Sequence, residues 1–163
     1  MTADNGFRAT RRLVLQGAGL VALAGLGNVA LDVAPAQAAA ADKYPGKAFT
    51  LKGDTDAIQA LYGKTTEASD KIALDVPEIA ENGAVVPISA TTTLANVTSI
   101  AFLVSENPNA LAAYYQIPES TLPNVSNRVK MAKTTKVTAI VESGGKLYSA
   151  TKEVKVTVGG CGG

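Results

Sequence analysis

The sequence has no histidine, no tryptophan and a single cysteine, Cys161, in 163 residues. Each absence closes a class of chemistry. Without histidine there is no Ser/His/Asp or Cys/His catalytic set, no histidine-ligated haem and no C-x-x-C-H haem attachment. One cysteine per chain excludes an internal disulfide, a Cys-rich zinc site and a cysteine-ligated iron–sulfur cluster. A surplus of charge is also missing, with 15 basic against 14 acidic residues. Setting aside residues 1–38, for the reasons below, leaves 12 of each sign. That balance argues against nucleic acid as a partner, because phosphate neutralisation needs a basic surplus or stripe. The size suits one domain. Reactivity must come from carboxylates, Lys, Tyr, hydroxyls or the one thiol.

Long, strongly apolar runs are lacking too. The apolar stretch from Leu13 to Leu31 is diluted by Gly17, Gly19, Gly25, Gly27 and Asn28, which is weak for a permanent membrane anchor of about 20 apolar residues. Ahead of it, Thr10-Arg11-Arg12-Leu13-Val14-Leu15-Gln16 resembles the twin-arginine export motif, with Val14 and Gln16 where Phe and Lys are commonest. Ala36-Gln37-Ala38 supplies a small-x-small cleavage site. Residues 1–38 therefore read as a twin-arginine signal peptide, with the mature chain starting near Ala39. The alternative is an uncleaved anchor; no cysteine stands near the cleavage point to make a lipoprotein. The implied destination is the periplasm, where unprotected thiols are oxidised. The route carries folded proteins, which points to subunit assembly before export.

The mature chain changes period once. After a small, polar lead from Ala39 to Pro45, Asp54–Tyr62 is predicted helical, with Asp54 or Thr55 as N-cap, Ala57, Ile58, Leu61 and Tyr62 on one face, and Gly63 as terminator. Thr- and Val-rich alternating segments follow: 72–76, 86–90, 97–104, 112–117, 127–132, 135–142 and 146–158. Turn residues separate them at Asn82-Gly83, Asn107-Pro108-Asn109, Pro118, Pro123-Asn124 and Gly144-Gly145. This spacing predicts an all-β, immunoglobulin-like antiparallel sandwich over residues 39–158, with one short N-terminal helix. Pro77 and Pro87 are expected at edges or bulges. In the last strand Val154, Val156 and Val158 share a face opposite Lys155 and Thr157.

Then packing information stops. Gly159-Gly160-Cys161-Gly162-Gly163 contains four glycines that have no side chain to pack and form no regular element. A segment untied by packing is mobile. Extended, it carries Cys161 roughly 10 Å past Val158. That geometry does not suit a catalyst, because a catalytic cysteine needs a fixed neighbour that activates and aims it. It suits a carrier, whose thiol is loaded and processed inside the active sites of other proteins. A lone cysteine is more often a buried small hydrophobe; among glycines, burial is implausible. An unpaired cysteine in an exported protein also fits an interchain disulfide.

These residues resemble a known family. The Gly159-Gly160-Cys161-Gly162-Gly163 segment is similar to the carrier arm of SoxY, a subunit of the SoxYZ protein of bacterial thiosulfate oxidation. The segment Ala80-Glu81-Asn82-Gly83-Ala84-Val85-Val86-Pro87 resembles a second feature of that family. Read from the residues, Asn82-Gly83 is a tight turn between two strands with positive φ at Asn and Gly; Glu81 is either a surface charge or an aid to partner placement. The resemblance implies an immunoglobulin-like sandwich paired with a SoxZ-type sandwich subunit. It implies Cys161 as the covalent attachment site, with no cofactor beyond the bound sulfur intermediates and no metal. A haem-containing SoxAX would join thiosulfate to the thiol, SoxB would hydrolyse off sulfate, and SoxCD, where present, would oxidise the sulfane sulfur left behind.

Three other readings compete. A ubiquitin-like thiocarboxylate carrier also ends in Gly-Gly, but the export leader and the all-β pattern oppose it. An exported structural or adhesion sandwich would use Cys161 for an interchain disulfide. An enzyme would need a carboxylate pair, and Asp75, Glu78 and Glu81 are close in sequence with nothing to set a pair in a cleft.

Overall fold

The computed structural model describes residues 44–158. The predicted leader with Arg11 and Arg12, the cleavage site, and Gly159, Gly160, Cys161, Gly162 and Gly163 lie outside the described residues. The described chain opens with Tyr44 stacked on Phe49, rings 5.5 Å apart and 4° from parallel. A 3-10 turn at Ala48–Thr50 leads into helix α1, Asp54–Tyr62. The strands are β1 Thr66–Ala68, β2 Ile72–Asp75, β3 Ile79–Ala80, β4 Val86–Thr92, β5 Val97–Val104, β6 Leu111–Gln116, β7 Asn124–Val129, β8 Thr135–Ser143 and β9 Lys146–Val156.

The helix keeps its predicted bounds, and Gly63 closes it in the left-handed region at φ 65°, its N–H donating to the Gln59 carbonyl. The N-terminus differs from expectation. Gly53 is the N-cap and no side chain caps the helix. Asp54 is drawn away instead, its Oδ2 accepting a 2.6 Å hydrogen bond from Ser105 Oγ beyond β5. With Asp56 it still places negative charge on the first turn, where the helix dipole favours it.

Two sheets form the sandwich. One runs β1-β9-β8-β5-β6, with β3 also on β9; the other runs β2-β4-β7. Its ladders are antiparallel except at one edge, where β1 and β3 pair parallel with β9 at Leu147–Ser149 and Lys155–Val156. Those two strands were not predicted, because three and two residues are too few to show a period. The β8–β9 hairpin turns on Gly144 and Gly145 at φ 57° and 79°, positive values that a two-residue hairpin needs and glycine supplies without strain. Strand β7 starts and ends three residues earlier than expected. Met131 and Ala132 leave the ladder to donate their N–H groups to the Gly83 carbonyl and to Asn107 Oδ1.

The larger sheet is covered on both faces, so β5 reads Ile-Ala-Phe-Leu-Val with no polar alternation. Ile100, Phe102 and Val104 face the second sheet with Ile88, Val137, Val141 and Val154. Ala101 and Leu103 face α1 and the 3-10 turn with Ala48, Ala57, Ile140 and Leu147. Phe102 is fully buried at the centre and meets Tyr115 edge-on, centroids 6.5 Å apart. Phe102→Ala is expected to cost about 3–5 kcal/mol in denaturant unfolding; a loss below about 1 kcal/mol would contradict this placement of the core.

A polar cluster fastens the helix end to the sheet. Lys64 Nζ lies 2.9 Å from Glu142 Oε1, and Thr98 Oγ1 donates to Glu142 Oε2 at 2.9 Å. Tyr62 and Ser99 share a hydrogen bond of 3.1 Å beside it. Burial pushes the Tyr62 phenol well above its ordinary value, so it stays neutral. The hydrogen bond from Lys64 holds Glu142 below the usual carboxylate range against the opposing effect of desolvation. A depressed folded pKa stabilises above the unfolded value and is lost as pH falls through the folded one. Glu142→Gln is therefore expected to melt below the parent at neutral pH and to converge with it in acid. A gap that persists in acid would contradict the ion pair.

Candidate functional site

The structure shows how the chain is held up to residue 158, the last described before residues 159–163. Strand β9 carries β8 on one edge and β1 and β3 on the other. At its end Lys155 N–H donates to the Glu78 carbonyl at 2.9 Å and Thr157 N–H to the Ala80 carbonyl at 3.1 Å. Thr157 Oγ1 donates to the Glu81 carbonyl at 2.9 Å. On the opposite edge Val156 N–H reaches Thr134 Oγ1 at 3.0 Å. The last described carbonyl, of Val158, accepts the Gly83 N–H at 2.7 Å.

Ala80, Glu81, Asn82 and Gly83 thus wrap the end of β9. Asn82 Oδ1 accepts the Ala84 N–H at 2.8 Å, an Asx turn that shapes the segment. Gly83 is buried, and its carbonyl takes the Met131 N–H at 2.7 Å. One glycine therefore joins three chain segments by its backbone alone. The expected hairpin with positive φ is corrected: neither Asn82 nor Gly83 is among the positive-φ residues, and β3 and β4 belong to different sheets. The turn connects sheets, and its hydrogen bonds go to β9.

The last strand departs from expectation at one residue. Val154 is fully buried and Val156 half-buried, but Val158 is 60% exposed. The ladder ends at Val156, so the second sheet no longer covers the face at Val158.

The three carboxylates are not brought together. Asp75 lines an open cleft of about 640 Å³ with Pro77, Pro87 and Arg128. The cleft exists because β2 ends opposite Ser89 while β4 runs on to Val86 against β7. Pro87 therefore sits where β4 is paired on one side only, as a strand proline requires. Glu78 and Glu81 are exposed, and it is their backbone carbonyls that hold β9.

The comparisons with known proteins agree with this architecture. A family model described as "Sulfur oxidation protein SoxY" matches residues 58–161, a span that takes in both the Ala80–Gly83 turn and Cys161. The chain belongs to the SoxY family. The structure of the sulfur carrier protein SoxY from Chlorobium limicola f thiosulfatophilum is 40% identical, with a TM-score of 0.59. That match covers 64% of this chain and 96% of that one. A superoxide reductase (neelaredoxin) from Ignicoccus hospitalis is 16% identical over 70% of this chain and 99% of its own, at a TM-score of 0.46, too low to carry an argument. A search of curated proteins gives no match.

The role of the SoxY-family turn in holding the end of β9 was not legible from local pattern, since Gly83 and Val158 stand 75 positions apart. Thr157→Val removes the hydroxyl bond to Glu81 and is expected to cost about 0.5–1.5 kcal/mol. Hydrogen exchange should quicken at the Gly83 and Thr157 amides and stay slow at Phe102. A Gly83 amide that already exchanges like an open loop in the parent would contradict the clamp.

Proposed function

We propose that this chain is a covalent sulfur carrier, with Cys161 as the attachment site and Gly159, Gly160, Gly162 and Gly163 providing reach and clearance. The observation that carries the reading is the family match running through Cys161, three residues beyond a Val158 held in place by Gly83. The 40% identical Chlorobium protein, itself described as a sulfur carrier, supports it. A thiol on a glycine tether beside a firmly hydrogen-bonded strand end can enter a narrow channel while the domain stays folded.

The chemistry balances in two steps, both performed by partners. In the first, a haem enzyme of the SoxAX kind removes two electrons as the Cys161 thiol joins the terminal sulfur of thiosulfate. One proton leaves, and an S-sulfonate disulfane remains on Sγ. In the second, water attacks the sulfonate sulfur in an enzyme of the SoxB kind. Sulfate and two protons depart, and the sulfane sulfur stays on Cys161 as a persulfide anion. SoxCD would oxidise that sulfur further. The protein would do this in the periplasm, delivered by the twin-arginine route through Arg11 and Arg12 and paired with a SoxZ-type subunit.

Intact-mass measurement of protein purified from thiosulfate-supplied cells tests the proposal. Adducts removable by reductant are expected on the parent and none on Cys161→Ser, with the melting temperature unchanged because the described core is complete without residue 161. Thiosulfate oxidation sustained by the substituted protein, in a strain without other copies, would overturn it. A covalent homodimer as the main species on a non-reducing gel would favour the interchain-disulfide reading instead.

A further inference from the structure

After residue 38 the chain has one asparagine followed by glycine, Asn82 before Gly83. That dipeptide carries an intrinsic reaction. The Gly83 nitrogen can attack the Asn82 side-chain amide, because glycine has no Cβ to hinder the approach. The fold treats the two reacting groups differently. Asn82 is exposed, and its Oδ1 accepts the Ala84 N–H at 2.8 Å. This bond draws electron density from Cγ and leaves it open to attack. Gly83 is buried, its N–H donating to the Val158 carbonyl at 2.7 Å and its carbonyl accepting the Met131 N–H at 2.7 Å. An amide nitrogen becomes a nucleophile only after its proton reaches a base, and this proton faces a carbonyl inside the fold.

We propose that Asn82 is a self-modification site, a deamidation centre gated by the hydrogen bond between Gly83 and Val158. The reaction needs only water, with hydroxide as the base. Once the bond opens, the Gly83 nitrogen joins Asn82 Cγ and the Cγ–Nδ2 bond breaks. Nδ2 leaves as ammonia, which accounts for the Gly83 proton, and a cyclic imide remains. Water then opens the ring. Breaking the new Cγ–N bond gives aspartate; breaking the bond from the nitrogen to the Asn82 backbone carbonyl carbon gives isoaspartate. No electrons are transferred. Either product adds a carboxylate next to Glu81. Isoaspartate also inserts one carbon into the main chain, about 1.5 Å of extra path, directly before a glycine held at both its N–H and its carbonyl. The Gly83 amide then no longer meets Val158, and a transient opening becomes permanent.

Peptide mapping of the full chain, aged at mildly alkaline pH and read by mass and by isoaspartate content, is run beside hydrogen exchange at Gly83. The samples are the parent, Thr157→Val, Thr134→Val and the parent from sub-denaturing to denaturing guanidinium. Both threonine hydroxyls bond to the same end of the chain. Asn82 of the folded parent is expected to deamidate at least about tenfold more slowly than in the denatured chain, because the reaction waits on local opening. Loss of one hydroxyl bond of ordinary strength predicts a rate about two- to tenfold above the parent in Thr157→Val. Across all samples the Asn82 rate should rise in step with Gly83 exchange. Chains carrying isoaspartate should exchange quickly at Gly83 in native buffer. Equal deamidation in folded and denatured chains, or rates indifferent to Gly83 exchange, would overturn the gate. Isoaspartate chains that keep the slow Gly83 exchange of the parent would overturn the permanent release.

Discussion

The hydrogen bond from the Gly83 amide to the Val158 carbonyl ties the last described residue to the body of the domain. A strand at the end of a sheet frays when its backbone groups face water. Here β9 is held on both edges close to its last residue, by Thr134 on one side and by the segment from Glu78 to Gly83 on the other. Most of these bonds use backbone atoms, so the clamp depends on chain path more than on side-chain chemistry. The exceptions are Thr134, whose hydroxyl oxygen accepts the Val156 N–H, and Thr157, whose hydroxyl donates to the Glu81 carbonyl.

That constraint organises the rest. To place Ala80–Gly83 beside β9, the chain must cross from β2 in one sheet to the edge of the other and then return to β4. The crossing leaves β4 unpaired on one side near Pro87 and opens the cleft there. The larger sheet, covered by α1 on one face and by the β2-β4-β7 sheet on the other, supplies a rigid base through β5 and β8. Strands β5 and β8 are buried from both sides, and β9 is bound along β8 from Lys146 to Val154. Hydrogen bonding thus continues from the central strands to Val158, where a carrier arm would begin.

Local chemistry made some elements legible and left others hidden. The helix at Asp54–Tyr62 could be read because apolar spacing and Gly63 bound it. The β8–β9 hairpin could be read because only glycine accepts positive φ at two successive positions without strain. Asp54 as N-cap failed because Ser105, remote in sequence, competes for its carboxylate. Strands β1 and β3 were invisible, being short and held only by β9. The same limit applied to the site. Cys161 stood out as a lone thiol among glycines, and the Ala80–Gly83 segment stood out by resemblance. Their connection through β9 is a tertiary fact.

Backbone nitrogen-15 relaxation along the full chain is the most direct measurement of whether a fixed root carries a free thiol. Order parameters near 0.85 are expected through Thr157, falling below about 0.6 at Cys161. Values that stay rigid at Cys161, or that already drop at Lys155, would contradict the account.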